Sequence, residues 1–363
     1  MKKNIRDITE VELKEFLANE GEPPFRLIQI QTAIYKNKIV DFADISTIPK
    51  LLINKLNDNF VAQSLKIKNT HFSNDGSIKF LFELSDNNLV EAVYMSWYDD
   101  DGASMIRQTL CISSQVGCGI NCAFCATGKI GLKRNLKASE IIEQIFIVER
   151  YLNTKITNIV FMGMGEPLQN FKEVTKSLDI LTNPKYEILS RRHITVSTSG
   201  IVPRIRDLAN IERPTKLAIS LHSATNGKRS QIIPLNDKYP ISELMDAVEY
   251  YYRTTKVPIT YEYIVFDNFN DRDEDVKALA KIAKRVPSRV NLIPFNDITF
   301  ALPDNYNLTL KPANKEKIER FAQKLRDEKT TVIIRDTFGN DIEAACGQLA
   351  LSEVNKNIIS IRK

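Results

Sequence analysis

No apolar run in the 363 residues approaches the roughly 20 needed to cross a bilayer. The opening MKKNIRDITEVELKEF also lacks the apolar core of a signal peptide, so a cytoplasmic chain with no membrane partner is the expectation. Low-complexity segments are absent, and so are the glycine loops that cradle nucleotide phosphates. Gly163-Met164-Gly165-Glu166 has Leu168 where a dinucleotide fingerprint needs its last glycine, and no helix opens there. Gly128-Lys129 is followed by Ile130, with Ala123 in place of the upstream glycine of a phosphate loop. Charge of one sign is also scarce: 50 Lys+Arg against 45 Asp+Glu leaves +5, compatible with a nucleic-acid partner without requiring one. Five cysteines are too few, and odd in number, for a disulfide framework, which turns attention to metal binding or catalysis.

What is present is ordinary globular material, 43% hydrophobic and 26% charged. At roughly 150 residues per domain it makes two domains, or one large α/β barrel with an appendage. ITEVELKEFLANEG reads as a helix with Thr9 as N-cap and Gly21 past its end. FRLIQIQTAIYKNKI and STIPKLLINKLNDNF read as two more amphipathic helices. SIKFLFELSDNNLVEAVYMSWY alternates like a hairpin turning at Asp86-Asn87-Asn88. From about residue 105, β-rich runs recur at 107–114, 158–164, 193–200, 216–222, 258–266, 289–296 and 330–336, with helical stretches between most of them. Near-continuous apolar strands alternating with helices predict a parallel sheet buried on both faces. Six or seven such units favour a barrel or partial barrel.

Four of the cysteines fall within fifteen residues: Cys111, Cys118, Cys122 and Cys125, with Cys346 alone near the C-terminus. Cys118-x3-Cys122-x2-Cys125 packs three thiolates into one loop, enough for a soft metal centre. A [4Fe–4S] cluster usually takes four cysteines, so three leave one iron open to a small molecule. A zinc knuckle would need a fourth ligand, from Cys111 or from a remote histidine (His71, His193 or His222). Phe124, inside the motif, either packs in the core or shields the centre from water.

With an aromatic before its last cysteine, this motif resembles that of the radical S-adenosylmethionine (SAM) enzymes. TLCISSQVGC, CAFCATGKIGLKRNL, FMGMGEPLQN, VSTSGIVP, AISLHS, NLIPFN and DIEAACGQLA together resemble the bacterial dual-specificity RNA adenine-C2 methyltransferases, over nearly the whole chain. The resemblance implies a partial (β/α)6-type barrel over residues 91–345. It also implies an N-terminal helical RNA-binding module with hairpin over 1–90 and a C-terminal segment, 346–363, carrying the reactive cysteine. It further implies one [4Fe–4S] cluster on Cys118, Cys122 and Cys125, and two SAM molecules per turnover. Contacts to SAM fall on Gly165, Glu166, Ser197, Ser220, Leu221, His222 and Asn296. By the strand reading these lie on, or just after, successive strands, at the end where barrel active sites assemble.

Adenine C2 is an electron-poor carbon that cannot attack a sulfonium methyl, so radical chemistry is required. The family's methyl-carrying cysteine falls on Cys346, its resolving thiol and disulfide partner on Cys111, and its proton acceptor on Glu91. 23S rRNA and tRNA are the implied substrates, a flavodoxin-type protein the electron donor, and a monomer the default. Lys129, Lys133, Arg134, Lys137, Arg191, Arg192, Lys228 and Arg229 are candidate phosphate contacts. Two alternatives stand beside this. One is the related C8-methylating enzyme that confers ribosomal antibiotic resistance; Pro167 and Pro294-Phe295 favour C2, while ATGKIGLKRNL is as close to the C8 enzymes. The other is a non-catalytic, zinc-stabilised RNA-binding protein.

Overall fold

Thr9 caps the first helix in the manner its spacing to Glu12 predicts. The Thr9 hydroxyl accepts from the Glu12 amide, and the Glu12 carboxylate accepts from the Thr9 amide. The computed structural model describes residues 2–99, 104–302 and 310–350. It opens with β1 (Lys3–Asn4), α1 (Glu10–Asn19), α2 (Phe25–Gln31), α3 (Lys50–Asn59) and β2 (Phe60–Val61), the last paired in parallel with β1. These are the three helices expected, with α2 running on into a π-helical turn at Thr32–Lys36. β3 (Lys66–Phe72), β4 (Ile78–Glu83), β5 (Leu89–Tyr98) and β6 (Met105–Cys111) then form an antiparallel meander. The β4–β5 turn sits where it was expected, with Asn87 left-handed at φ 62°.

The division expected after residue 90 falls inside β5. That strand is hydrogen-bonded along both edges, to β4 and to β6, so the hairpin is continuous with the core sheet. The remaining elements are β7 (Gln115–Val116), α4 (Ala126–Ile130), β8 (Arg134–Asn135), α5 (Ala138–Leu152), β9 (Asn158–Phe161), α6 (Phe171–Leu181), β10 (Ile194–Thr198), α7 (Val202–Ala209), β11 (Lys216–Ser220), α8 (Asn226–Ile232), α9 (Ile241–Thr255), β12 (Ile259–Val265), α10 (Asp273–Ala283), β13 (Ser288–Pro294), α11 (Lys315–Asp327) and β14 (Val332–Ile334).

One sheet of ten strands runs β14-β13-β12-β11-β10-β9-β6-β5-β4-β3. From β6 to β14 every neighbour is parallel, one strand for each of the seven β-rich runs in the sequence. Both faces of these strands are covered, so Ile159, Val196, Leu217, Tyr261 and Leu292 are buried while helices pack outside. The sheet curls: Cys111 at the end of β6, Ile293 on β13 and Arg335 just past β14 line one cavity. This is the partial barrel expected, and the chain is α/β.

The N-terminal module is clamped to α5. Arg6, buried, donates to the carbonyls of Ile34, Ile39 and Ala62 and pairs with Glu143 at 3.3 Å. Asp7 accepts from the amide and hydroxyl of Ser139. No helix among the described residues is long and apolar enough to cross a membrane. Of the C-terminal segment expected at 346–363, residues 351–363 lie outside the described residues.

Candidate active site

The loop after β6 holds the three motif cysteines, and its path depends on Gly117. At φ 76° this residue is left-handed, and a Cβ there would lie 1.7 Å from the Gly131 carbonyl. The Cys118 amide donates to that same carbonyl at 3.2 Å, and the Ala123 amide to Ile232 at 2.9 Å. Cys118, Cys122 and Cys125 line one cavity of about 150 Å³, together with Gly165, Glu166, Ser197, Ser220, His222 and Cys346. Burial pushes the Cys118 thiol up to about 12 and also raises Cys122 well above the usual thiol value, with Arg229 opposing the shift at Cys122. Thiols in such a setting ionise when a cationic metal body binds them. No three His, Cys, Asp or Glu side chains among the described residues converge on a single-ion site. Three sulfurs lining one cavity fit a polynuclear cluster, in which each thiolate meets its own iron.

Gly163 and Gly165 are explained by packing. A Cβ on Gly163 would come within 2.7 Å of the Ile112 carbonyl, and one on Gly165 (φ 101°) within 2.5 Å of the Gln115 side chain. The turn they build presses directly on the segment leading into the cysteine loop. Glu166, buried, accepts from the Ser199 amide (2.8 Å) and hydroxyl (2.7 Å) and from the Leu168 amide (3.0 Å). Burial raises its pKa and these hydrogen bonds oppose the rise. The Ser197 and Ser220 hydroxyls, on adjacent strands, are 3.4 Å apart.

His222 is left-handed at φ 53° and buried. Its Nδ1 accepts from the Ile264 amide at 3.0 Å, which places the ring proton on Nε2, and Phe124 packs edge-on against it at 4.6 Å. Phe124 thus serves both readings, being buried and part of the cavity wall. Burial, aided by the Arg229 cation, lowers the His222 pKa from 6.5 to about 3. The folded protein therefore binds fewer protons than the unfolded chain between those values. Stability from this residue is intact above pH 6.5 and falls by about 1.4 kcal/mol per pH unit as pH drops toward 3. Asparagine tolerates the same backbone and can accept from the Ile264 amide. His222→Asn is accordingly expected to lose less of its thermal stability between pH 7 and pH 5 than the parent does; equal losses would refute the assignment.

Leu221 does not line the cavity. Its side chain is in the main core and its carbonyl accepts from Arg229 Nε at 3.1 Å. Arg229 is itself buried and also donates to the Ser199 and Ser220 carbonyls and to Asn236 Oδ1. This corrects its reading as a phosphate contact. Lys228 is paired with Asp275, and Arg134 with Glu140 and Asp86, so these two cations are also engaged within the fold.

The segment bearing Cys346 is laid against the cysteine loop. The Ala126 amide donates to the Gly347 carbonyl (2.7 Å), and the Thr127 hydroxyl to Leu349 (2.6 Å). Asn296 donates from Nδ2 to the Cys346 carbonyl at 3.2 Å. Gly347 is left-handed at φ 86°, and a Cβ there would meet the Phe124 carbonyl at 2.9 Å. Cys346 is exposed, and it lines the 150 Å³ cavity as well as a second one of about 60 Å³. Cys111, Cys125, Asn296 and Arg335 line the second cavity too. Both Cys111 and Cys346 are free thiols. Burial raises Cys111 to about 12; Cys346, though exposed as a residue, is also raised by the desolvation of its thiol, against the pull of Arg335.

Glu91 lines neither cavity. It is buried on β5 with Lys79 Nζ 3.7 Å away, on the strand face shared with Val93 and Met95, which do line the second cavity. Arg335 and Glu262 were not anticipated. Arg335 lies 3.8 Å from Glu262, which lines the first cavity and also accepts from Asn291. Strand alternation carries the signal for Glu262, two residues from cavity-lining Ile264.

Comparison with known proteins agrees with this arrangement. Residues 112–280 match the Radical SAM superfamily, and residues 3–62 match the ribosomal RNA large subunit methyltransferase N-terminal domain. The chain is 42% identical over 347 residues to a probable dual-specificity RNA methyltransferase RlmN of Acholeplasma laidlawii, covering 95% of this chain and 98% of that one. It is 42% identical over 353 residues to the protein of the same name from Clostridium beijerinckii, covering 97% and 96%. A crystal structure of a radical SAM methyltransferase from Sphaerobacter thermophilus superposes with a TM-score of 0.86 at 38% identity, over 96% of this chain and 99% of that one. With the cysteine loop, the partial barrel and full-length relatives all in accord, the chain belongs to the RlmN family of radical SAM methyltransferases.

Proposed function

We infer that this protein methylates C2 of adenine in RNA, with both 23S rRNA and tRNA as substrates. The observation that carries the reading is the position of Cys346, which lines the cavity of the three motif thiols and also the cavity of Cys111. A [4Fe–4S] cluster held by Cys118, Cys122 and Cys125 supplies one-electron chemistry that turns bound SAM into a source of a hydrogen-abstracting carbon radical. Gly165, Glu166, Ser197, Ser220 and His222 surround the space in which SAM is held. Asn296 orients the Cys346 backbone, and Leu221 acts through Arg229.

Cys346, once deprotonated, attacks the methyl carbon of a first SAM, forming S-methylcysteine and releasing S-adenosylhomocysteine. A radical derived from a second SAM would abstract a hydrogen from that S-methyl; the methylene radical adds to adenine C2, Glu91 receives the C2 proton, and the surplus electron would pass back to the one-electron centre, leaving a closed-shell thioether. Cys111 thiolate then attacks the Cys346 sulfur: the sulfur–carbon bond breaks, the freed carbon takes a proton to become the methyl of the RNA, and the Cys111–Cys346 disulfide is reduced by the external electron donor before the next turnover. The relatives bear the name of dual-specificity RNA methyltransferases, which supports the C2 reading over the C8 alternative and over a zinc-stabilised binding protein. A cytoplasmic monomer reduced by a flavodoxin-type donor completes the proposal.

Anaerobically reconstituted protein, given reductant, methyl-deuterated SAM and unmodified rRNA or tRNA, is expected to yield labelled 2-methyladenosine in both RNAs on digestion and mass spectrometry. Label at C8, or none with the cluster intact, overturns the assignment.

A further inference from the structure

The barrel interior is layered, because alternate residues of each strand point inward. Cys111 of β6, Ser220 of β11, Ile264 of β12 and Ile293 of β13 line the upper cavities. Four residues earlier on the same strands stand Arg107, Lys216, Thr260 and Arg289. They form a lower layer at the N-terminal mouth, where a cavity of about 230 Å³ is lined by Arg107, Arg289, Thr195, Thr260 and Trp97, while Lys216 stands outside its wall, close enough to both arginines to feel their charge. Val160, Met162, Arg335 and Phe338 line both this cavity and that of Cys111 and Cys346, so the two adjoin.

Among the described residues the three lower cations have no carboxylate partners. Arg107 donates to Thr109 (3.0 Å) and lies 4.7 Å over the Trp97 ring, and Arg289 donates to Thr260 (3.2 Å). Arg107, Lys216 and Arg289 form no ion pair among the described residues. Burial lowers the pKa of Arg107 and Lys216, and Arg289 lowers both further, as expected of converging like charges. Against them stand Asp336 and Glu262, the latter already engaged by Asn291 and Arg335. An excess of positive charge is left facing a solvent-open space.

We propose that this mouth is a phosphate site in which Arg107, Lys216 and Arg289 hold a backbone phosphate of the RNA whose target base occupies the cavity of Cys111 and Cys346. The proposal rests on the reading of the chain as an RNA methyltransferase. Arginine forks suit phosphate oxygens, and the lysine adds a point charge. The aromatic face of Trp97 keeps the Arg107 guanidinium spread across the opening.

The test compares the holoenzyme with Arg107→Gln/Arg289→Gln and with Lys216→Gln, the single change serving should the double variant fail to fold. Binding of unmodified tRNA is measured against salt, and methylation of Cys346 by SAM alone is followed by mass spectrometry. The double variant is expected to bind about tenfold more weakly at about 150 mM salt, with the salt slope reduced by about 1 per lost contact. The Lys216 variant is expected to lose about one unit of slope, and Cys346 methylation is unchanged in both. Unaltered affinity and slope in the folded variants overturn the proposal. Inorganic phosphate that protects only the parent from heat, with RNA binding unaltered, overturns the RNA assignment in favour of a free anion. A parent enzyme that binds RNA at this mouth but methylates none of it overturns the reading of function and leaves the site standing.

Discussion

Replacing Cys111 with alanine is expected to arrest the enzyme as a covalent protein–RNA adduct at Cys346. In the proposed sequence the adduct is a thioether, and a thioether is cleaved only if a second thiolate takes its sulfur. Cys111 lines the same small cavity as Cys346, and the remaining thiols lining the two cavities are the motif cysteines. Turnover should fall about 10³-fold or more, while methylation of Cys346 by SAM proceeds as in the parent. The adduct would appear as a band of retarded mobility in a denaturing gel, sensitive to ribonuclease. Cys346→Ala should give neither product nor adduct, which separates the two roles. A Cys111→Ala protein that turns over normally would remove Cys111 from the mechanism.

The second large effect is structural and concerns Arg229→Leu. Its guanidinium joins the ends of two parallel strands to the segment after α8: it donates to Ser199 beyond β10, to Ser220 and Leu221 at the end of β11, and to Asn236 beyond α8. Burial lowers its pKa to about 10, so it remains charged at neutral pH. Leucine fills the volume but leaves those buried acceptors unpaired, a cost of about 3–5 kcal/mol. Thermal unfolding should drop by about 10 °C, and iron uptake should fall because Ser199 positions Glu166 beside the cysteine loop. Arg229→Lys keeps the charge but not the fan of donors, and should be intermediate. A leucine variant with parental melting and iron content would show that these bonds hold nothing in place.

Much of this architecture was legible beforehand because burial on both faces writes each parallel strand as a short apolar run. All seven runs became strands, and Thr9 announced the first helix as its N-cap. The cysteine loop was equally plain, since a metal site concentrates its ligands in sequence. Charged residues were harder to read. Arg134, Lys228 and Arg229 look like a basic surface in the chain, yet Glu140, Asp275 and a set of backbone carbonyls engage them in the fold. Arg335 and Glu262 were missed for the same reason: a charge is solvated by default, and tertiary packing alone sets it inside. The hairpin was recognised as such, but alternation along β5 does not say which strand will pair with its free edge, and β6 took it.

The way the Cys346 segment is attached sets an order of assembly. Among the described residues it has no helix or strand of its own to hold it. It rests on the Ala126 amide, the Thr127 hydroxyl and Asn296, and the Thr127 contact joins residues 222 apart in the chain. Contacts across so long a loop form late in folding. The Cys346 sulfur, to which the proposed mechanism assigns the methyl, is therefore among the last parts to be positioned, after the barrel and the cysteine loop on which it rests.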